Sequence, residues 1–575
     1  IVIAWLRCRD FFTVEAFWRE VLRVAPATFA LLAVSGLLAL AAAASWVVRP
    51  PERTWRDVDA GIPVARGELF RGEDFEADHP LLRAPICALV HMRVVPGAVS
   101  KPSLPNMRII GPCTRLCPTV QPSIYASHAA AITRCARPLP RDDDGVDMDA
   151  VAAFQAALEH FMRVTEPNDE RHTLEEVIAN VPEGSRRREY TDAFYEAASY
   201  GFNIARLAGL RRYAFVKIEA GINVEDKMVT YRYCPRVICA IPTPLNILTA
   251  VAMKQLVVRL AHLPEHGIHI YSAIGMTGVD MGAVRALMGS EVVGMDASRF
   301  DCSVGMEMQE AEEAAYGTVL GPEWVAANRA IREAPIHLGT PGAGVVVVRN
   351  QRGMRKSGMF GTSAMNTGAN AAMVYSFACA HHVERRIVAL IMGDDALISG
   401  LPPELHAALV AHFARLNFEL KLEPNPVGFC SGVFFDAHVM QPGGTFRAQP
   451  VLIPDARRIA AKFGIVTGAT AASLRKRDFD AFLATKARGL VLSTYLDPWL
   501  RPFLTKWAAV TPRVYAGDVG GWYHDTVHAV RPAPQEVERF CILMGITPLQ
   551  FQESQAALME ATGYCADARL ACMLP

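Results

Sequence analysis

The apolar and polar positions along this chain change rhythm several times, and each change predicts an element. Val24 to Val48, "VAPATFALLAVSGLLALAAAASWVV", carries no charge and is bounded by Arg23 and Arg49. It exceeds the ~20 residues that span a bilayer, and Trp46 near one end suits an interface. A membrane span is the expectation, ahead of a buried core helix or a cleaved signal peptide. From Pro50 to about Asp149 the chain is Pro-rich, with short apolar runs such as "APICALVHM" and an acidic end, "RDDDGVDMD". That reads as an irregular small domain or linker. Helical periodicity begins at "AVAAFQAALEHFMRV". Further on, "EVVGMD" reads as a strand and "TSAMNTGANAAMVYSFACA" as a helix. "RIVALIM" and "ALISG" read as strand, tight turn, strand around Gly393. No internal repeat is visible.

The 575 residues are 51% hydrophobic, enough for several subdomains. Lys plus Arg and Asp plus Glu both total 58, so a strongly basic global field is excluded. Any polyanion site must come from local clustering. Two such clusters exist. One comprises Arg186 to Arg188, Arg206, Arg211, Arg212, Lys217, Lys227, Arg232 and Arg236. The other comprises Arg457, Arg458, Lys462 and "RKR" at 475–477. Each reads as a solvated helix face when taken singly, and as a wall of a polyanion channel when taken together. The 13 Cys are an odd number and scattered, which fits a reducing compartment. Cys113 and Cys117 lack a matching second pair and read as ordinary thiols rather than half a zinc site. The first residue is Ile, so the chain is expected to be a fragment or to have its start upstream.

The candidate chemistry lies in carboxylates. Asp394 and Asp395 are adjacent at the turn of "LIMGDDALISG". A solvated Asp-Asp turn would explain them equally well, so a third carboxylate decides. "EVVGMDASRFD" places Asp296 at a strand end and Asp301 five positions later. Converging carboxylates repel one another unless a cation neutralises them, and hard oxygen ligands suit Mg²⁺ or Mn²⁺. Two such ions can activate a 3′-hydroxyl and stabilise a leaving pyrophosphate. Between these segments "KSGMFGTSAMNTGAN", Lys356 to Asn370, offers a Gly-containing loop with Ser357, Thr362 and Asn366 as neutral hydrogen-bonding groups.

In this order the segments resemble the palm of RNA-dependent RNA polymerases of positive-strand RNA viruses. "DASRFD" looks like their motif A, "SGMFGTSAMN" motif B and "GDD" motif C. "FVKIEAGINVEDKMVTYRYCPRVI" is similar to motif F, with Lys217, Glu219 and Arg236 in place. "LNFELKLEPNPVGFC" looks like motifs D and E, with Lys421 and the Phe429-Cys430 pair. The wording "DASRFD", "PRVI" and "FC" is closest to the tombusvirus group, and the resemblance covers roughly Thr173 to Gly464. Ala220 departs from it where relatives often carry a second basic residue, and "IMGDD" replaces their usual polar lead-in.

The resemblance implies an α/β (α+β) right-hand fold: fingers at 166–285, a palm with an antiparallel sheet at 286–440, and a thumb at 441–575. An N-terminal region at 51–165 and a membrane anchor at 1–50 precede them. It implies that Asp296 and Asp394 hold two Mg²⁺ (or Mn²⁺) ions, with Asp395 assisting. Asp301, Asn366 and Ser357 would read the ribose 2′-hydroxyl, with Thr362 in support. Lys217 and Arg236 would meet triphosphate or template, and Lys421 would protonate pyrophosphate. The implied partners are an RNA template and nascent strand, ribonucleoside triphosphates, and a host membrane at its cytoplasmic face, with self-association an open possibility. Against a reverse transcriptase stand Asn366 and Asp301, because a DNA-making enzyme excludes the 2′-hydroxyl. Against an inactive membrane-bound RNA scaffold stand the intact Asp296, Asp394 and Asp395.

If Val24 to Val48 spans a bilayer, the protein stays with membranes through an alkaline carbonate wash. Two Arg placed near Gly36 should release it, at a cost of ~2.5–3.5 kcal/mol each at the centre of a span. Soluble wild-type protein would indicate a core helix, and a product shortened to near Trp46 a signal peptide.

Overall fold

A computed structural model of the chain describes residues 88–94, 107–114 and most of 127–573. Short breaks and the longer stretches 137–145, 166–172, 218–235 and 517–529 fall outside it. The apolar run Val24 to Val48 lies outside the described residues, as do most of 50–149 and Cys117, Arg211, Glu219, Ala220, Lys227 and Arg232. Among the described residues no helix is long and apolar enough to cross a membrane.

Six strands make the central sheet: β1 (His262–Glu265), β2 (Ile268–Ser272), β3 (Val292–Ser298), β4 (Val388–Met392), β5 (Asp395–Ser399) and β6 (Glu419–Pro424). Their order across the sheet is β6-β3-β5-β4-β2-β1. Four helices matter most to it: α1 (Met148–Val164), α2 (Gly278–Leu287), α3 (Met306–Leu320) and α4 (Thr362–Ala380). The expected hairpin is present as β4 and β5, with Met392 paired to Asp395. Gly393 at its turn has φ +65°, a left-handed conformation that glycine adopts without strain.

The run "VALIM" is apolar without alternation because β4 is covered on both faces. Leu390 and Leu397 pack with Met281 and Val284 of α2. Ala389, Ile391, Ala396 and Ile398 pack in the larger core, which includes α1, α3 and α4. The sheet is mixed, not purely antiparallel: β4 runs parallel to β2, with Ile391 opposite Ser272. The physical reason is the long connection between them. Chain passing from β2 through α2, β3, α3 and α4 returns to the same end of the sheet, and such a crossover permits a parallel neighbour.

The predicted helix "AVAAFQAALEHFMRV" is α1. It starts at Met148 because the Asp147 carboxylate accepts from the Asp149 and Ala150 amides. Helix α4 is buried on nearly all sides, its polar residues Asn366, Thr367 and Asn370 along with its apolar ones. Gly368 leaves room on α4 for the Tyr316 side chain of α3, since a Cβ there would meet the Tyr316 hydroxyl.

A second core forms beyond the sheet. The hairpin Gly432–Met440 with Phe446–Pro454 packs on helices that include Phe479–Ser493, Arg501–Ala508 and Pro548–Glu560, around Trp499. Asp497 is fully buried there. Its Oδ1 accepts from the Trp499 and Leu500 amides at 2.9 and 2.7 Å. Burial, and secondarily Asp455, push its carboxyl up to about 7, against the pull of those amides and Arg501.

The native state therefore binds a proton at Asp497 that the unfolded chain, at about 3.9, has lost. Between those values stability falls as pH rises. The loss is on the order of 4 kcal/mol at most across the window. Asp497→Asn keeps the acceptor and removes the titration, so the variant should gain on wild type between about pH 4 and about pH 7 in urea unfolding. Parallel pH dependences would contradict this.

Candidate active site

The sheet register brings the predicted carboxylates together. On one side of Asp296 in β3 the directly opposed residue is Asp395 of β5. On the other side it is Lys421 of β6. Residues directly opposed across a ladder project from the same face. Asp395, Asp296 and Lys421 therefore form a row across three strands. Met295, Ala297 and Leu420 are buried beside them, while Asp296 and Lys421 are exposed. Asp394 is exposed in the turn.

Asp395 is half-buried, and its carboxyl is pushed up to about 6. Burial contributes most, then the charge of Asp394 and, more weakly, that of Asp296. A hydrogen bond from the Cys430 thiol and the charge of Arg458 oppose the shift. The thiol arrives there because Cys430 and Ser431 both take left-handed φ, 49° and 64°, between Phe429 and its partner Gly432. Two positive φ values are what a two-residue primed turn requires.

The turn carrying Asp394 is held from above by α4. The Thr367 hydroxyl accepts from the buried Gly393 amide at 2.8 Å and donates to the Ser363 carbonyl. Asn370 Nδ2 donates to the Gly393 and Asp394 carbonyls at 3.2 and 3.3 Å. Thr367 and Asn370 were missed in the sequence. The signal was there: Asn366, Thr367 and Asn370 form a polar stripe on an otherwise apolar helix.

Asp301 and Asn366 meet. Arg299 breaks β3 with φ 56°, and Asp301 sits in the single helical turn that follows. Asn366 Nδ2 donates to Asp301 Oδ1 at 2.7 Å. Burial raises the Asp301 carboxyl above its ordinary value. Asn366, Arg355 and Arg236 pull it down, and Asp394 pushes it further up.

Ser357 does not join them. Its hydroxyl donates to the Val237 carbonyl at 2.8 Å and accepts from the Cys239 amide. Thr362 donates to the Lys356 and Met359 carbonyls, closing the loop before α4. Lys217 and Arg236 lie side by side at the end of the short ladder Phe215–Val216 with Val237–Ile238, where the Lys217 amide donates to the Arg236 carbonyl at 2.8 Å. Ser357 thus fastens the α4 loop to the strand that carries Arg236.

The two basic clusters each send a side chain toward the carboxylates: Arg236 acts on Asp301, and Arg458 on Asp395. Arg187, by contrast, caps a neighbouring helix end through the Val181 and Ala179 carbonyls.

Among the described residues no three His, Cys, Asp or Glu side chains form a group able to hold an ion. Mg²⁺ is commonly held by one or two carboxylates with water and substrate phosphates. After burial, the charges of Asp394 and Asp296 raise Asp395, and it is those charges that a divalent cation relieves. The donor set, all hard carboxylate oxygens, fits such a cation.

Comparison with family models matches residues 128–483 to one described as RNA dependent RNA polymerase. That stretch contains every site residue named above and more than half of the chain. Comparison with curated proteins gives no match.

Thr367→Val keeps the shape of the side chain and removes the acceptor of the Gly393 amide. Leaving that buried donor unpaired should cost about 1–3 kcal/mol in chemical denaturation. A loss below about 0.5 kcal/mol would show that the turn holds itself.

Proposed function

The chain belongs to the RNA-dependent RNA polymerase family, and we propose that this RNA-directed RNA polymerase, a nucleotidyltransferase, joins ribonucleotides by a two-metal displacement centred on Asp296, Asp394 and Asp395. The observation that carries the reading is the register of three strands, which sets Asp395 and Lys421 on either side of Asp296. RNA template and nucleotides are the substrates that the family implies.

In this reading Asp296 and Asp394 supply the principal oxygen ligands and Asp395 assists. Two divalent ions, Mg²⁺ or Mn²⁺, would stabilise charge on the attacking and leaving oxygens of an in-line displacement. Lys421, opposite Asp296 on the same face, would give a proton to pyrophosphate. Lys217 and Arg236, beyond Asp301, receive the triphosphate or template, and Arg can do so bidentately. Asp301 and Asn366 read the ribose 2′-hydroxyl. Asp301 offers acceptor oxygens, and Asn366 retains one N–H beyond the one it gives to Asp301. Ser357 acts through position, because its hydroxyl is committed to the Val237 carbonyl.

The parts correspond to a right hand, with the central sheet as palm, the segments bearing Lys217 and Arg236 as fingers, and the second core as thumb. The wording "DASRFD" and "PRVI" supports a positive-strand, tombusvirus-like origin. The uncharged run Val24 to Val48 supports anchorage to the cytoplasmic face of a host membrane.

Asp296→Ala and Asp394→Ala should each lower nucleotide addition by at least about a thousandfold and leave RNA binding largely intact, because the basic clusters supply binding. Substantial primer extension by purified Asp394→Ala protein would overturn the two-metal reading.

A further inference from the structure

Arg355 has no exposed surface, and neither has Glu312, its partner on α3. Arg355 Nη2 meets Glu312 Oε1 at 2.5 Å. Its Nε donates to Asn366 Oδ1 at 2.9 Å, and its own backbone amide donates to the Asp301 carbonyl at 2.9 Å. One residue thus touches both members of the Asp301–Asn366 pair from the side away from solvent. Arg355 Nη1 and Glu312 Oε2 are buried with no hydrogen-bond partner among the described residues.

An ion pair placed this deep is rarely a net stabiliser, because two charges lose their hydration and apolar residues of similar volume would fill the space. Here it is not even fully satisfied. Its geometry does something that an apolar pair would not. An amide has two unlike edges, one accepting and one donating. A guanidinium only donates, so Arg355 accepts Asn366 in one orientation, with Oδ1 inward. Nδ2 is then turned to Asp301. Asp301 alone would favour the same edge, but a single hydrogen bond leaves the amide free to pivot about it. Two bonds on opposite edges fix its plane. Glu312 in turn fixes the guanidinium, and it does so from α3, whose Tyr316 hydroxyl lies against Gly368 of α4.

We propose that Arg355, held by Glu312, is a positioning residue for sugar selection: it locks the Asn366 amide so that a donor edge, and not an acceptor edge, faces Asp301 and the incoming ribose. The inference rests on the reading of Asp301 and Asn366 as the 2′-hydroxyl site. Arg355 never touches the substrate. Its loss loosens the amide and costs discrimination, because a site built around a hydroxyl rejects the deoxy analogue only while its polar groups are held in place.

The test uses the full chain and single-nucleotide incorporation with matched ribo and deoxy substrates. Arg355→Met/Glu312→Leu removes both charges together and keeps volume. The ribo-to-deoxyribonucleotide ratio of kcat/KM should fall at least about tenfold, through poorer ribonucleotide use with deoxyribonucleotide use unchanged. A merely structural pair would lower both substrates equally and leave the ratio intact. Arg355→Lys keeps a charge beside Glu312 but lacks the Nε that meets Asn366. It should give the same fall, and it decides the matter if the double variant does not fold. Asn366→Ala runs in parallel. A lowered ratio in Asn366→Ala with a wild-type ratio in the Arg355 variants overturns this inference alone. An unchanged ratio in Asn366→Ala removes the sugar reading and this inference with it.

Discussion

The structure depends on one unfavourable contact. Antiparallel pairing of β3 and β5 sets Asp296 directly opposite Asp395, and like charges so placed destabilise a ladder. The adjacent Asp394 contributes the larger repulsion on Asp395. Nothing in the sheet's apolar packing relieves it, so the surrounding elements do. The Cys430 thiol and Arg458 favour the ionised form of Asp395 from one side. Arg236 does the same for Asp301 from the other. A divalent cation bound between the carboxylates would relieve what remains.

Helix α4 is the strut of this arrangement. Its apolar residues fill the core beneath the sheet, and its polar stripe does the positioning. Asn366 meets Asp301, and Thr367 and Asn370 fix the turn that carries Asp394. One rigid helix therefore relates the Asp301–Asn366 pair to the carboxylates. Sites mounted on such elements hold their geometry better than sites on loops. The buried Arg355–Glu312 pair extends the same frame to α3.

Much of this was legible in the sequence. The hairpin at Gly393 follows from two apolar runs broken by a glycine, and α1 from its periodicity. The partnership of Asp296 with the Asp394-Asp395 turn followed from asking what could neutralise adjacent carboxylates. The meeting of Asp301 and Asn366 came from the family resemblance, not from spacing. Three features were not legible. The parallel pairing of β4 with β2 depends on a crossover of over a hundred residues, which local pattern does not encode. The destination of the Ser357 hydroxyl depends on a strand far away in sequence. Arg355 belongs to neither basic cluster and drew no reading, because its burial beside Glu312 depends on where α3 passes.

The central claim is that the three-strand register exists to hold cations at Asp296 and Asp394. Anomalous diffraction from crystals of the protein soaked in Mn²⁺ tests it most directly. The account predicts manganese peaks within coordination distance of the Asp296 and Asp394 carboxylates, lost in Asp296→Asn crystals. Manganese bound only elsewhere, in protein that still extends a primer, would contradict it.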